Sequence, residues 1–505
     1  MGLNEEHPLY ADHRDDWEQM RDTYKGERQV KSKGLKYLPA TGGMHADGMV
    51  RLTDEGYIAY NSYRMRARFP DLVKEAVKGL LGVMHRKPPT IEIPSEMKSM
   101  LDRATTRGES LEMLLQRINE EQLVTGRLGL LGDFVDSIDA EGNRTDRAEE
   151  PYLSLYRGED VINWDDGGLT ATDVENLNLV VLNETSVERE PSGFNWKEIQ
   201  KFRVLVLGEL NELESEGAGA AYQAALFRET TEFDPKSLEA PVYRGSPASE
   251  IPFVFVNGLD VVAEPDDPPL LGLSNLTLCI YRGEADYRMS LFKQGQDTLV
   301  IIGKTDDQDV RVGADATIVI PNTDGDAKYI GVSSEGLSEQ REALKSDYQR
   351  GQEMAGQLLD STSRERESGE ALQIRVAVRT ATLTQVVKSG AFALETILKK
   401  MARWMGLDDE KVQIAPNLDF VDDSMTGEQL TQWMSGKVIG GPIALSTIHE
   451  MMRRRGVTEK EFKDEMAEIE KEREEEEARL GTTNPNGPVP NDPRDPGEPG
   501  EPDEE

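Results

Sequence analysis

Gly303-Lys304-Thr305 has the form of the end of a phosphate-binding loop, where backbone N–H groups and a lysine cradle phosphates. The earlier glycine such a loop needs falls on Thr298, and Asp306, Asp307 and Asp309 stand where a helix should begin. An anionic loop repels phosphate, so nucleotide binding is not expected. The pairs Asp165-Asp166, Asp266-Asp267, Asp306-Asp307 and Asp422-Asp423 offer the hard oxygen donors that Mg²⁺ or Ca²⁺ prefers, but adjacent acids in the loops of an acidic chain more often form solvated turns. His7, His13, His45, His85 and His449 are scattered without zinc-ligand spacing. No Gly-x-Ser-x-Gly elbow is present, and Cys279, inside an apolar stretch, is expected to be a small core residue. Arg453-Arg454-Arg455 closes a helical stretch, where cations favour the negative end of the dipole more simply than they read DNA. The expectation is a protein that is not an enzyme and holds no cofactor and no metal.

The elements around these residues belong to a large acidic chain. With 505 residues and 37% hydrophobic content, two to four structural units are expected. A formal charge of -37 disfavours non-specific adhesion to nucleic acid or anionic lipid. It leaves room for DNA as passing cargo, since a conduit must avoid phosphate gripping that stalls its contents. No run approaches the ~18 apolar residues of a membrane span. The opening Met1-Gly2-Leu3-Asn4-Glu5-Glu6 has neither a basic region nor an apolar run, which predicts no membrane association and an intracellular, reducing compartment.

Helical spacing dominates from Trp17 to Met113, including one apolar stretch from Tyr57 to Val83 that Lys87-Pro88-Pro89 stops. Thr90 to Ile93 alternates like a short strand, and a helix is expected from Ser110 to Thr125 with Leu111, Leu115 and Ile118 on one face. Short apolar runs then predict a mostly antiparallel β region: Leu128 to Val135, Leu153 to Tyr156, Leu179 to Leu182, Phe202 to Leu207 and Phe253 to Val256, with Leu213 to Ala221 as a hairpin loop. Asp267-Pro268-Pro269 reads as a capped helix start leading to about Phe292. Runs Leu299 to Ile302 and Thr317 to Ile320 predict a small β insertion, followed by a helix from about Glu335 to Leu359 striped by Leu344, Tyr348, Gly351, Ala355 and Leu358. Asp360 to Gly369 breaks the pattern before a long helix, Glu370 to Met405. Three shorter helices are expected: Thr426 to Ser435; one holding Ile443, Ile448 and Met451 or Met452; and a last one holding Phe462, Met466 and Ile469 behind a Thr458 and Glu461 capping box. The Pro, Gly and acid content from Gly481 onward predicts a disordered tail.

Several stretches resemble the portal (head-to-tail connector) proteins of tailed bacteriophages, by their order rather than by one tight signature. They are Tyr60-Asn61 with Gly79-Leu80-Leu81-Gly82-Val83-Met84-His85-Arg86-Lys87-Pro88-Pro89; Gly126-Arg127 with Gly129-Leu130-Leu131-Gly132-Asp133; Pro151-Tyr152 with Val161-Ile162-Asn163-Trp164; Ile251-Pro252-Phe253-Val254-Phe255; and Leu273-Ser274-Asn275-Leu276 running on to Tyr281-Arg282 and Ala285-Asp286-Tyr287. The resemblance covers most of residues 10 to 470. It implies an α+β, portal-like architecture: a wing over 1–265, a first stem helix over 266–296, a β clip over 297–330, a second stem helix over 331–359, a tunnel loop over 360–369, a spine helix and wing return over 370–423, a helical crown over 424–480 and an acidic tail over 481–505. It implies a homo-oligomeric ring of twelve subunits at one capsid vertex of the virion, assembled in the host cytoplasm, through which double-stranded DNA passes during packaging and ejection. Terminase large subunit, a head-completion or tail adaptor protein, the major capsid protein and scaffold are the partners so implied.

By the same analogy Lys345, Arg350, Arg364 and Arg366 line the DNA channel, and Lys304, Asp306, Asp307 and Asp309 lie in the clip where partners dock. Two readings of the four channel cations stand together: transient contact with phosphate, or pairing with Asp347, Glu353, Glu365 and Glu367. The segment Asp360 to Glu370 is more charged than a steric gate needs. Ring assembly is expected to bury the stem stripe of Leu344, Tyr348 and Ala355 against neighbouring copies. Two other classes compete: an acidic scaffold or adaptor binding partners through its C-terminal helix and tail, and a metal-dependent hydrolase using the acidic pairs.

Overall fold

The structure, a computed structural model, describes residues 2–134, 150–167, 177–190, 193–208, 221–295, 298–302, 325–330, 336–359, 369–418, 444–454 and 460–480, with 420, 435 and 458 as single residues. Two units are distinguished, divided after Phe420.

The first unit opens with helices α1 (Pro8–Lys25), α2 (Glu27–Ser32), α3 (Gly42–Ala46), α4 (Glu55–Arg66) and α5 (Leu72–Met84). His7 caps α1 through its ring nitrogen, which accepts from the Leu9 N–H at 3.2 Å. The apolar stretch read as one helix from Tyr57 to Val83 is two, α4 and α5. Pro70 explains the break, because the residue before a proline is pushed out of the helical region. Strand β1 (Thr90–Glu92) and the short α6 (Ser99–Asp102) lead to α7 (Leu111–Val124), whose N-cap Ser110 accepts from Met113 N–H at 3.1 Å. Gly126 then takes φ +74, a left-handed turn that glycine adopts at little cost.

The β region is antiparallel throughout its described pairs, as expected. Strands β2 (Arg127–Phe134) and β3 (Pro151–Arg157) begin it, followed by β4 (Val161–Asp165), β5 (Leu179–Asn183), β6 (Ser186–Arg189), β7 (Trp196–Ile199), β8 (Lys201–Leu207), β9 (Tyr222–Arg228), β10 (Val242–Tyr243), β11 (Ser246–Pro247) and β12 (Phe253–Asn257). One sheet runs β12-β2-β3 and another β4-β5-β8-β9; β6-β7 and β10-β11 are separate hairpins. The expected hairpin loop lies mostly outside the described residues, while the strands beside it pair with Leu207 opposite Tyr222.

Helix α8 (Leu271–Gln294) follows, then β13 (Thr298–Ile302), β14 (Asp326–Ile330), α9 (Leu337–Leu359), the 36-residue α10 (Gly369–Trp404) and β15 (Gln413–Ala415), which returns to pair with β1. Asp267 does not cap α8: the helix starts after Leu270 without a side-chain cap, because the Pro268 carbonyl has already turned the chain by accepting from Leu271 N–H. Strand β13 pairs with Asp326–Ile330; Thr317 to Ile320, its expected partner, lies outside the described residues. Cys279 is exposed rather than in the core. It falls on the solvent stripe of α8 with Asn275 and Arg282, three or four residues away on each side, opposite the buried Leu273, Ile280 and Ala285.

Four apolar clusters hold this unit. One joins Trp17, Trp164, Phe253 and Phe255 to the four-stranded sheet. A second packs α7 and α10 on β2 and β12 through Leu111, Ile118, Leu394, Ile397 and Met401. A third gathers α5, α8, α9 and α10, and a fourth joins residues between Val30 and Phe69 to Tyr281. The second unit contains α11 (Leu445–Arg454) and α12 (Phe462–Leu480). The expected capping box does not form: the Thr458 hydroxyl accepts from Lys460 N–H and donates to Glu465, while the Glu461 carbonyl accepts the first N–H groups of α12. The helix expected at Thr426 to Ser435, apart from Ser435, and the tail from Gly481 lie outside the described residues. The fold is α+β, and no helix among the described residues is long and apolar enough to cross a membrane.

Candidate functional site

The segment α8-β13-β14-α9 is an arm made of two helices and the hairpin between them. A methyl placed on Gly283 would lie 2.9 Å from Leu344, and one on Gly272 would lie 3.6 Å from Met354. Gly351 faces Leu276 and Ile280. Positions therefore advance along α8 as they recede along α9, so the helices are antiparallel. A Cβ on Gly351 would stand 2.6 Å from Leu72, which is why α9 can lie this close to α5.

The stripe of Leu344, Tyr348, Gly351 and Ala355 is thus used inside the chain, against Leu72, Val73 and Ala76 of α5 and Leu273 and Ile280 of α8. This corrects the expectation that neighbouring copies bury it; the sequence reading had no means of pairing the stripe with α5. Polar contacts fix the root. Thr23 and Ser274 hydroxyls meet at 3.0 Å, Gln19 donates to Asn275 at 2.7 Å, and Arg282 donates to the Tyr37 carbonyl at 2.9 Å. Tyr63 donates to Asp286 at 2.5 Å and Arg288 to Glu284 at 2.7 Å. Burial, with Glu284 beside it, pushes the Tyr348 phenol above its ordinary range.

Toward its tip the arm leaves this support, and Leu291, Phe292 and Ile302 are 40%, 39% and 48% exposed. Arg66 stacks its guanidinium 3.5 Å from the Phe292 ring centre, a partial cover only. The outer face of α9 is polar, with Glu339, Arg341, Glu342, Lys345, Arg350 and Glu353 exposed. Lys345 is near Glu342 at 3.8 Å, not Asp347, and Arg350 has no ion pair among the described residues. Arg364, Arg366, Lys304, Asp306, Asp307 and Asp309 lie outside the described residues.

No group of three metal-ligating side chains occurs among the described residues. Asp165 accepts from Gly167 N–H at 3.0 Å, as turn formers do, and Asp266 accepts from Leu259 N–H at 3.0 Å, tying the loop before α8 together; Asp422 and Asp423 lie outside the described residues. A cleft of about 330 Å³ lies between the end of α10 and residues 243–252, and its Lys400 and Arg403 share Glu250 at 3.2 and 2.6 Å. Their charge is largely satisfied within the chain.

A buried polar chain that the sequence reading missed clasps α10. His85 meets Asn119 at 2.9 Å, Asn119 donates to Gln122 at 2.8 Å, Gln122 donates to the Asn257 carbonyl at 2.6 Å, and the Ser389 hydroxyl of α10 donates to that carbonyl at 2.9 Å. At its far end Arg127 donates to the Asn257 side chain at 3.2 Å, its guanidinium 4.6 Å from the Trp164 ring and 4.2 Å from Phe255. Burial pushes Arg127 down to about 9 and His85 below its ordinary range. The available signal was Asn119 and Gln122, two amides three apart on the apolar side of a helix.

A family model described as a domain of unknown function, DUF4055, matches residues 269–405, which run from α8 through the arm and α10. No curated protein matches the chain. Among solved structures, a chain of the "Neck of native GTA particle computed with C12 symmetry" is 12% identical with a TM-score of 0.35, over 74% of this chain and 88% of that one. A chain of the "Virion of native gene transfer agent (GTA) particle" is 13% identical with a TM-score of 0.34, over 76% and 88%. A chain of the "Neck of empty GTA particle computed with C6 symmetry" is 13% identical with a TM-score of 0.34, over 82% and 98%.

Proposed function

We propose that the chain is a portal subunit: copies close into a ring of twelve at a capsid vertex, and double-stranded DNA passes through the centre during packaging and ejection. The observation that carries this reading is the arm. Its root is anchored in the chain's own core, its tip exposes Leu291, Phe292 and Ile302, and its outer face is polar. An arm of this kind suits a stem that presents a wettable wall to a channel and an uncovered tip to other chains. On this reading residues 1–265 are the wing, α8 and α9 the stem, 297–330 the clip, 360–369 the tunnel loop, α10 the spine and 424–480 the crown.

Lys345 and Arg350 then face the channel, joined by Arg364 and Arg366 from the tunnel loop. The clip, with Lys304, Asp306, Asp307 and Asp309, receives the terminase large subunit and later the tail adaptor. Major capsid protein and scaffold meet the outer surface. The net charge of -37 disfavours adhesion of DNA to the particle as a whole, and on this reading the subunit is a conduit with no chemistry of its own and no cofactor. Negative-stain imaging of the purified full-length protein tests the reading. End-on particles with a central hole are expected, and protein that stays monomeric at all concentrations refutes it.

A further inference from the structure

The hairpin β6-β7 exposes an apolar knob. Its register sets Arg189 opposite Trp196 and Val187 opposite Glu198, so these four residues share one face. Val187 is 60% exposed, Trp196 67%, and Phe194 between the strands 92%. The two aromatic residues alone leave roughly 300 Å² uncovered, the size at which an apolar patch marks an interaction site. The opposite face is satisfied within the chain, where Glu188 pairs with Lys201 and Arg228 and Lys197 with Glu229.

A second uncovered surface lies on α4 and the loop before it. Val50 is 95% exposed, Leu52 74%, Ile58 54% and Met65 71%. Asp54 fastens the loop by accepting from the N–H groups of Val50 and Arg51 at 3.0 and 2.8 Å, so these side chains are held outward on an ordered turn. Ile58 and Met65 lie seven residues apart on one stripe of α4. This surface belongs to the cluster around Tyr37, Tyr60 and Tyr281, whereas the sheet that carries the hairpin belongs to the cluster around Trp164 and Phe255. The two patches are therefore separate and unlike: a protruding aromatic knob and an aliphatic helical face.

Each also holds a charge without a partner. Glu198, on the knob face, and Arg51, between Val50 and Leu52, are exposed, and neither side chain has an ion pair or hydrogen bond among the described residues. Their signs are opposite.

We infer that the knob of one copy docks on the α3-α4 face of a second copy, with Val187, Phe194 and Trp196 covering Val50, Leu52 and Ile58 and with Glu198 meeting Arg51. The inference rests on the ring reading and deepens it. Two unlike patches joined head to tail leave a free knob and a free face on every dimer, so addition continues until the circle closes. A patch that paired with itself would stop at two copies.

The test uses two full-length variants, Phe194→Ser with Trp196→Ser (knob variant) and Val50→Ser with Leu52→Ser (face variant). All four positions are exposed, so both are expected to fold, which circular dichroism checks. Particle mass is read by analytical ultracentrifugation and imaging. Wild type is expected to form rings, and each variant alone to associate on the order of 100-fold more weakly. A mixture of the two retains one intact knob and one intact face, and is expected to give dimers and nothing larger. Glu198→Arg and Arg51→Glu should each weaken assembly and together restore it. Rings formed by both variants as readily as by wild type, or a mixture that yields no dimer, overturn this inference and leave the ring reading standing. Wild type that remains monomeric overturns both.

Discussion

Gly390 lies where α10 crosses α7, and replacing it with alanine should destabilise the protein although alanine is the better helix former. A methyl there would stand 2.6 Å from Asn119 Nδ2, 2.7 Å from Gln122 Oε1 and 3.2 Å from Ile118. Those first two atoms are the two ends of one buried hydrogen bond, and Gln122 also reaches the Asn257 carbonyl. The methyl must part the amides. Alanine for glycine inside a helix gains about 1 kcal/mol. Leaving buried amide groups without partners costs ~1–3 kcal/mol each. With two bonds disturbed and the helix gain subtracted, a net loss of about 1–5 kcal/mol is expected. Gly82 is the control: it sits in α5 with no atom within 4 Å of a built methyl, so Gly82→Ala should stabilise by ~0.5–1 kcal/mol. Urea midpoints followed by fluorescence of the buried Trp17, Trp164 and Trp404 report both changes. Asn119→Ala removes the group that is struck, so it should cost less in the Gly390→Ala background than in wild type. If Gly390→Ala stabilises the protein as Gly82→Ala does, the clasp on α10 is not what fixes this crossing.

Two further outcomes follow from charge. Asp160 is half-buried beside Glu159, and burial first, then that neighbour, raises its carboxyl to about 6. The folded state holds a proton that the unfolded chain releases, so this group's contribution is present below about pH 4 and lost as pH rises through 6. Asp160→Asn should therefore stabilise the protein at pH 8 by on the order of 1–2 kcal/mol, after allowance for partial exposure, and by much less at pH 4.5; an equal gain at both refutes the assignment. Lys345→Glu combined with Arg350→Glu replaces exposed cations, so the stability read from urea unfolding should change by no more than about 0.5 kcal/mol. In a packaging assay the same variant should slow DNA entry if these cations face the channel, and unchanged entry would remove them from it.

What was legible in the sequence was helical period and short apolar runs. Leu111, Leu115 and Ile118 gave α7, Leu394, Ile397 and Met401 gave the long α10, and short runs rich in Val, Leu, Ile and Phe gave β2, β5, β8 and β12. The failures come from information that a linear pattern does not hold. Tyr57 to Val83 kept its helical spacing across Pro70, so hydrophobic period outweighed a local chain-breaker. Strands β4 and β9 escaped notice because Asn163 and Gln223 interrupt their apolar runs. Asp326–Ile330 has no continuous apolar run, because Asp326 and Lys328 interrupt it, yet it pairs with β13, and its residues 326–328 are exposed. Cys279 was placed inside because its neighbours in sequence are apolar, and one helical step of 100° put it outside. Of the candidate site, Lys345 and Arg350 were legible as exposed cations; the clasp around Asn257 joins residues more than a hundred positions apart and has no short-range signature.

The stem stripe changes where a ring has to find its cohesion. Leu344, Gly351 and Ala355 are already covered by α5 and α8, so identical neighbours cannot gain apolar burial there. The outer face of α9 is polar and carries both signs of charge, which gives an interface little to bury and suits a wall against water or DNA. A ring of the proposed kind would draw its cohesion from other surfaces, such as those where Trp196, Phe194, Val50 and Leu52 stand uncovered and the arm tip with Leu291, Phe292 and Ile302. That division separates two demands that conflict on one surface: close contact between copies, and a bore that does not adhere to its contents. On the proposed reading, substitutions on α9 should alter passage of DNA without altering assembly, while those on the knob should weaken assembly itself and lose passage only as a consequence.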